Sequence, residues 1–116
     1  MLFRSEYTDA GFSPQTITIT AGETVLWTNR SSKLMWVASA KHPDHTVYDG
    51  TSLAEHCADG ALKAGATSFD QCTAVVKGST YSFVFDKLGT WKYHDHVNAT
   101  KFGTVIVTAQ ASSTPI

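Results

Sequence analysis

Four of the five histidines in this 116-residue sequence fall in two short clusters. His94 and His96 stand one residue apart in "WKYHDHVN", and His42 and His45 flank a Pro-Asp turn in "KHPDHTVY". On a strand, residues i and i+2 project from the same face roughly 7 Å apart, so two imidazoles there can converge on one ion through bonds of about 2 Å. Tyr93 and Asp95 would then point the other way. A turn likewise brings side chains three residues apart within reach of shared coordination. The competing accounts are polar residues at a sheet edge for the first pair and solvated loop histidines for the second. Two clusters, each beside a strand end, favour a metal site. His56, next to Cys57, is expected to be a surface side chain.

Cys57 and Cys72 are the only cysteines, and they lie in one polar stretch rich in Gly, Ala, Asp and Thr. With no C-x-x-C motif, a zinc knuckle or a thioredoxin-like centre is ruled out. A disulfide closing this loop is favoured over two unrelated free thiols, and would contribute roughly 3 kcal/mol in the chain-entropy model. Such a bridge implies an oxidising compartment. "MLFRSEYT" lacks the apolar core of a signal peptide, so the chain is expected to be either cytosolic or the mature form of an exported protein.

The elements that must position these residues read as β-structure. "QTITIT" places Ile17 and Ile19 on one face, "AGE" supplies a turn, and "TVLWTN" follows with Val25 and Trp27 on one face, a pattern that predicts a hairpin. "LFRSEY", "KLMWVAS", "STYSFVF", "TWKYHDH" and "FGTVIVTA" are further strand-like runs, with "DKLG" as a turn. Trp27, Trp91, Phe83 and Phe85 are core candidates by alternation. About seven short strands fit an all-β sandwich. The connection from Ala40 to about Thr73 is unusually long, which often marks function. Within it, Ser52 and Glu55 have capping-box spacing and predict a short helix in "SLAEHCAD".

Composition bounds the rest. A chain that is 42% hydrophobic and 16% charged is an ordinary globular one, expected to form a single domain over residues 1–108 with a flexible C-terminal tail over 109–116. A formal charge of -1 offers no basic footprint for nucleic acid, and no apolar run is long enough to span a bilayer as a helix. No carboxylate pair, Ser-His-Asp spacing or glycine-rich phosphate loop supports hydrolysis or phosphate transfer.

"GFSPQTITITAGETVLWTN" is similar to the opening of plastocyanin-like cupredoxins, in which F-x-P-x-x-I-x-I-x-x-G-x-x-V-x-W-x-N builds two core strands. The resemblance continues through "YSFVFDKLGTWKYHDH" and the closing "GTVIV", and so spans Gly11 to Val107. It implies a Greek-key sandwich of seven or eight strands with a copper site at one end. The ligand pattern departs from that family. The position of its first His falls on Met35, its copper-binding Cys is replaced by His94 after Tyr93, and its axial Met is absent where Lys101 and Phe102 stand. His96 is a closer-spaced counterpart of the family's second His. A trigonal His-His-Cys centre with a weak Met therefore cannot form. "YHDH" also resembles the H-x-H elements of multicopper oxidases, and with "HPDH" it is similar to exported single-domain cupredoxin-like proteins that lack the blue-copper Cys.

A set of His42, His45, His94 and His96 suits Cu(II) above Zn(II), with zinc the alternative ion. If Met35 joins two histidines, its soft thioether favours Cu(I), with Trp36 shielding the site. The alternative for Met35 is a core side chain, since "LMWV" is apolar throughout. Three functions follow. The leading one is an extracytoplasmic copper protein that handles copper or transfers one electron to a redox or copper-exchange partner, rather than an enzyme. The others are a small copper oxidoreductase acting on superoxide or peroxide, and a structural domain holding zinc or no metal.

Overall fold

The computed structural model describes residues 2–110; the tail expected over 109–116 lies outside the described residues from position 111 onward. In chain order the elements are β1 (Leu2–Thr8), β2 (Gly11–Ser13), β3 (Thr16–Thr20), β4 (Glu23–Asn29), β5 (Val37–Ser39), α1 (Leu53–His56), β6 (Cys57–Ala58), β7 (Ala61–Leu62), β8 (Thr80–Phe85), β9 (Gly89–Asp95) and β10 (Asn98–Thr108). They form two four-stranded sheets, ordered β2-β1-β4-β8 and β3-β10-β9-β5, with β6 and β7 as a separate ribbon. The all-β sandwich expected from strand alternation is therefore present.

The expected hairpin between β3 and β4 does not form. β3 lies parallel to β10, with Ile17 opposite Val105, and β4 lies between parallel β1 and antiparallel β8. The chain crosses from one sheet to the other at Ala21-Gly22, where Gly22 has φ +93° and its N–H bonds the Phe85 carbonyl over 2.8 Å. The Glu23 carboxylate closes the corner by accepting from the Thr20 N–H and hydroxyl, each at 2.8 Å. Alternation shows which face each strand buries, but Ile17 and Ile19 meet the core equally well from the opposite sheet. Pairing partners come from distant strands, which the local pattern does not contain.

Between the sheets, Trp27 is fully buried, with the rings of Tyr93, Phe69, Tyr81 and Phe85 5.2–6.3 Å away. Phe83 and Trp91, expected in the core, are half-buried at its margin. Full burial of such a side chain is worth about 1.5–3 kcal/mol. The cluster also anchors β9, the strand that carries His94. Tyr93 points into the core and pairs with Gly103 on β10, where a Cβ would collide with the Tyr93 ring and the Gln15 carbonyl. The lack of a side chain at Gly103 thus leaves room for the Tyr93 ring against β10.

Candidate metal centre

β9 ends in Tyr93-His94-Asp95, held between β5 and β10 with His94 opposite Ala38 and Phe102. His96 follows, its N–H bonded to the Trp36 carbonyl over 2.8 Å. As alternation requires, Asp95 faces away from the two imidazoles. It is fully buried, accepting from the Trp36 and Val97 N–H groups at 3.0 Å and from the Tyr7 hydroxyl at 2.5 Å. Burial and the neighbouring Asp95 carboxylate push the Tyr7 hydroxyl well above its ordinary range. Asp95 thereby ties the segments on both sides of the histidine pair to the strand.

The second pair comes from the long connection after β5. Lys41–His45 turns tightly, with the His45 N–H bonded to the Lys41 carbonyl over 2.8 Å. His45 has φ +62°, a left-handed conformation that costs a non-glycine residue roughly 1–2 kcal/mol and persists only where its surroundings hold it. The turn carries both imidazoles to the end of β9. His42 Nδ1 lies 3.3 Å from His94 Nε2, and His45 Nε2 lies 2.9 Å from His96 Nδ1. One ligand atom from each of His42, His45, His94 and His96 falls within 4.8 Å of all the others.

These separations suit a single ion. Bonds of about 2.0 Å put neighbouring nitrogens about 2.8 Å apart in a square plane and about 3.3 Å apart in a tetrahedron. The two strand histidines are also in the right protonation state. Burial, followed by repulsion from His45, His42 and His96, lowers the His94 pKa to about 4, and burial followed by repulsion from His45 and His42 lowers that of His96. Both rings are therefore neutral donors near pH 7. His45 and His94 are buried, His96 is half-buried and His42 is exposed, so the cluster reaches solvent through the loop.

Met35 is fully buried and belongs to the hydrophobic core; its backbone bonds that of Val75 in both directions at 2.9 Å. The Trp36 ring covers one side of the cluster, its centroid 4.3 Å from that of His96. Cys57 and Cys72 form a disulfide, so the nearby set of His56, Cys57, Asp70 and Cys72 offers no thiolate to a metal.

Two residues behind the histidines escaped sequence reasoning. His56, expected at the surface, is 2% exposed, because the capping box of Ser52 and Glu55 starts α1 and the helix turns this side chain inward. Its Nε2 meets Asp70 Oδ2 at 2.8 Å and its Nδ1 meets Thr51 Oγ1 at 2.9 Å. Asp70 is buried as well and contacts His45 Nδ1 at 2.7 Å, Trp36 Nε1 at 2.8 Å and the Cys72 N–H at 2.9 Å. Burial alone would raise the Asp70 pKa, but hydrogen bonds from His45, His56, Trp36 and the Cys72 amide outweigh it and hold the carboxyl at about 2. A signal was available: His56 adjoins Cys57 and Asp70 stands two residues before Cys72, so the disulfide itself draws the two together.

No protein-family model matches this sequence, and no curated protein does. Solved structures do match. A purple cupredoxin from Nitrosopumilus maritimus superposes with a TM-score of 0.65 at 19% identity, over 91% of this chain and 99% of that one. The chain has the cupredoxin fold. A Cu(I) amicyanin variant gives a TM-score of 0.64 at 18% identity over 92% of this chain and 82% of its own, and an oxidised amicyanin variant gives 0.64 at 19% over 91% and 81%. On this cupredoxin frame the end of β9 presents the His94 imidazole, as the sequence indicated, and both cysteines are taken up in a disulfide elsewhere.

Proposed function

We propose that this protein binds copper through His42, His45, His94 and His96 and serves in copper handling or one-electron transfer outside the cytoplasm. The observation that carries this reading is the convergence of four imidazole nitrogens at one end of a cupredoxin sandwich, at separations that fit bonds of about 2 Å. Copper bound there would supply a one-electron couple, and an all-nitrogen set favours Cu(II).

The chain's own residues account for the rest. β9 and Asp95 hold His94 and His96 in place, whereas His42 sits on an exposed turn and can leave or join the set as a partner docks. Three buried or half-buried donors with one exposed donor suit an ion that is held and then passed on. The disulfide supports an oxidising compartment. We assign the whole of residues 1–108 to this one domain.

Copper titration followed by absorption and EPR spectroscopy tests the reading. The expected product is pale, with weak d–d bands and a wide copper hyperfine splitting, since no thiolate is available to give an intense charge-transfer band. A silent EPR spectrum at full copper occupancy would instead show that the site holds Cu(I), overturning the Cu(II) preference. Stoichiometric zinc that copper does not displace would favour the zinc-bound domain, and no binding of either ion would leave the fold without a metal function.

A further inference from the structure

Asp70 sits between two histidines, only one of which faces the metal cluster. Its Oδ2 meets both His45 Nδ1 and His56 Nε2, and its Oδ1 accepts from the Trp36 indole and the Cys72 amide. A carboxylate only accepts, so each ring nitrogen that faces it must carry the proton. A neutral imidazole has one N–H, and with that N–H on Nδ1 the lone pair of His45 is on Nε2, the atom 2.9 Å from His96 Nδ1.

We propose that Asp70, backed by His56, is the positioning residue of this site: it locks His45 as the Nδ1–H tautomer and aims its Nε2 lone pair at the metal. The assignment rests on the copper reading for its purpose, though not for its geometry. Four donors saturate the carboxylate and leave it no freedom to turn, and the ring it grips belongs to the residue with the left-handed backbone. The His56 ring is itself backed by Thr51, whose Oγ1 lies 2.9 Å from its Nδ1. Asp70 is no ligand here, since His45 stands between it and the cluster. Groups that orient a ligand in this way typically alter metal affinity 10–100-fold when replaced.

Imidazole nitrogen-15 NMR on the metal-free protein tests the tautomer directly. Wild type should show His45 protonated at Nδ1 and bare at Nε2. In Asp70→Asn the amide offers one acceptor and one donor, so the Nε2–H form should become populated and Cu(II) affinity should fall about 10–100-fold. His56→Gln, which keeps Asp70, should hold the His45 tautomer and lose less affinity. Wild-type His45 protonated at Nε2 overturns the proposal without any variant. So does Asp70→Asn with the tautomer unchanged. If Asp70→Asn does not fold, the wild-type spectrum and His56→Gln still decide. A wild-type protein with the expected tautomer and no affinity for copper would sink the copper reading and leave the positioning role standing.

Discussion

The indole of Trp36 lies against the imidazole of His96, with ring centroids 4.3 Å apart, and its Nε1–H donates to Asp70 over 2.8 Å. One side chain thus touches both a candidate ligand and the carboxylate behind another. Trp27 is enclosed in the aromatic core and Trp91 packs on Tyr48. Copper should therefore quench mainly Trp36. We expect Trp36→Phe to remove most of the copper-dependent change in tryptophan emission; quenching of the same size in that variant would show that the metal binds elsewhere.

The two histidine pairs should not be equivalent. His94 and His96 are held by β9 and its neighbours, whereas His42 is exposed on its turn. Replacing either strand histidine with Ala should weaken Cu(II) binding by more than about 100-fold, beyond the 10–100-fold typical of losing an orienting group. Removing His42 should cost less. Competitive titration against a chelator would rank the variants, and equal losses at His42 and His94 would contradict the division between a fixed and an exchangeable half.

Acid should destabilise the metal-free protein in two separate windows. The folded-state pKa of His94, about 4, lies below its ordinary 6.5, so the unfolded chain takes up that proton first. Its contribution is full above pH 6.5 and is lost as pH falls toward about 4. Asp70, held at about 2 against an ordinary 3.8, keeps its contribution until pH drops below 3.8 and loses it on the way to 2. Denaturant midpoints measured from pH 8 to 3 should fall first below pH 6.5. In His94→Gln this first decline should be shallower, with His96 supplying what remains.

Opening the disulfide should affect both stability and metal binding. Cys57 follows His56 and the Cys72 N–H donates to Asp70, so the bridge holds the two residues behind His45 side by side. A Cys57→Ser/Cys72→Ser double variant should lose about 3 kcal/mol of stability. Its copper affinity should also fall, by less than in Asp70→Asn, because the carboxylate and its histidines remain. Denaturant unfolding and the same titration would measure both. Unchanged affinity would show that the loop is held by packing alone.

Gly103→Ala tests how β9 is seated. The added methyl would meet the Tyr93 ring and the Gln15 carbonyl, both fixed. Overpacking of this kind costs about 1–3 kcal/mol, which a thermal melt would show as a fall of about 4 °C or more. A melt within a degree of wild type would mean that β9 and β10 can part without loss.

Some of this architecture was legible because it depends on local alternation. Ile17 and Ile19, Val25 and Trp27, and Tyr93 against His94 each fall on the expected faces, and the capping box at Ser52 starts α1 where its spacing required. The hairpin between β3 and β4 was misjudged for the complementary reason. Which strand pairs with which is set by Val105 lying opposite Ile17 and Trp27 opposite Ser5, pairings between positions far apart in the chain.

For the site, the sequence alone determined the chemistry on offer: imidazoles in two clusters, no thiolate at the end of β9, and cysteines close enough to pair. Residue type and short-range spacing carry that information, because a strand or a turn projects its side chains in a fixed geometry. Only the tertiary structure decided that the two clusters meet, although His45 and His96 are 51 positions apart in the chain, and that His56 and Asp70 stand behind them in the interior. The reason is physical: neither an imidazole nor a carboxylate enters a protein interior without partners. Those of Asp70 come from His45, His56, Trp36 and Cys72, four positions that only the folded chain brings to one point.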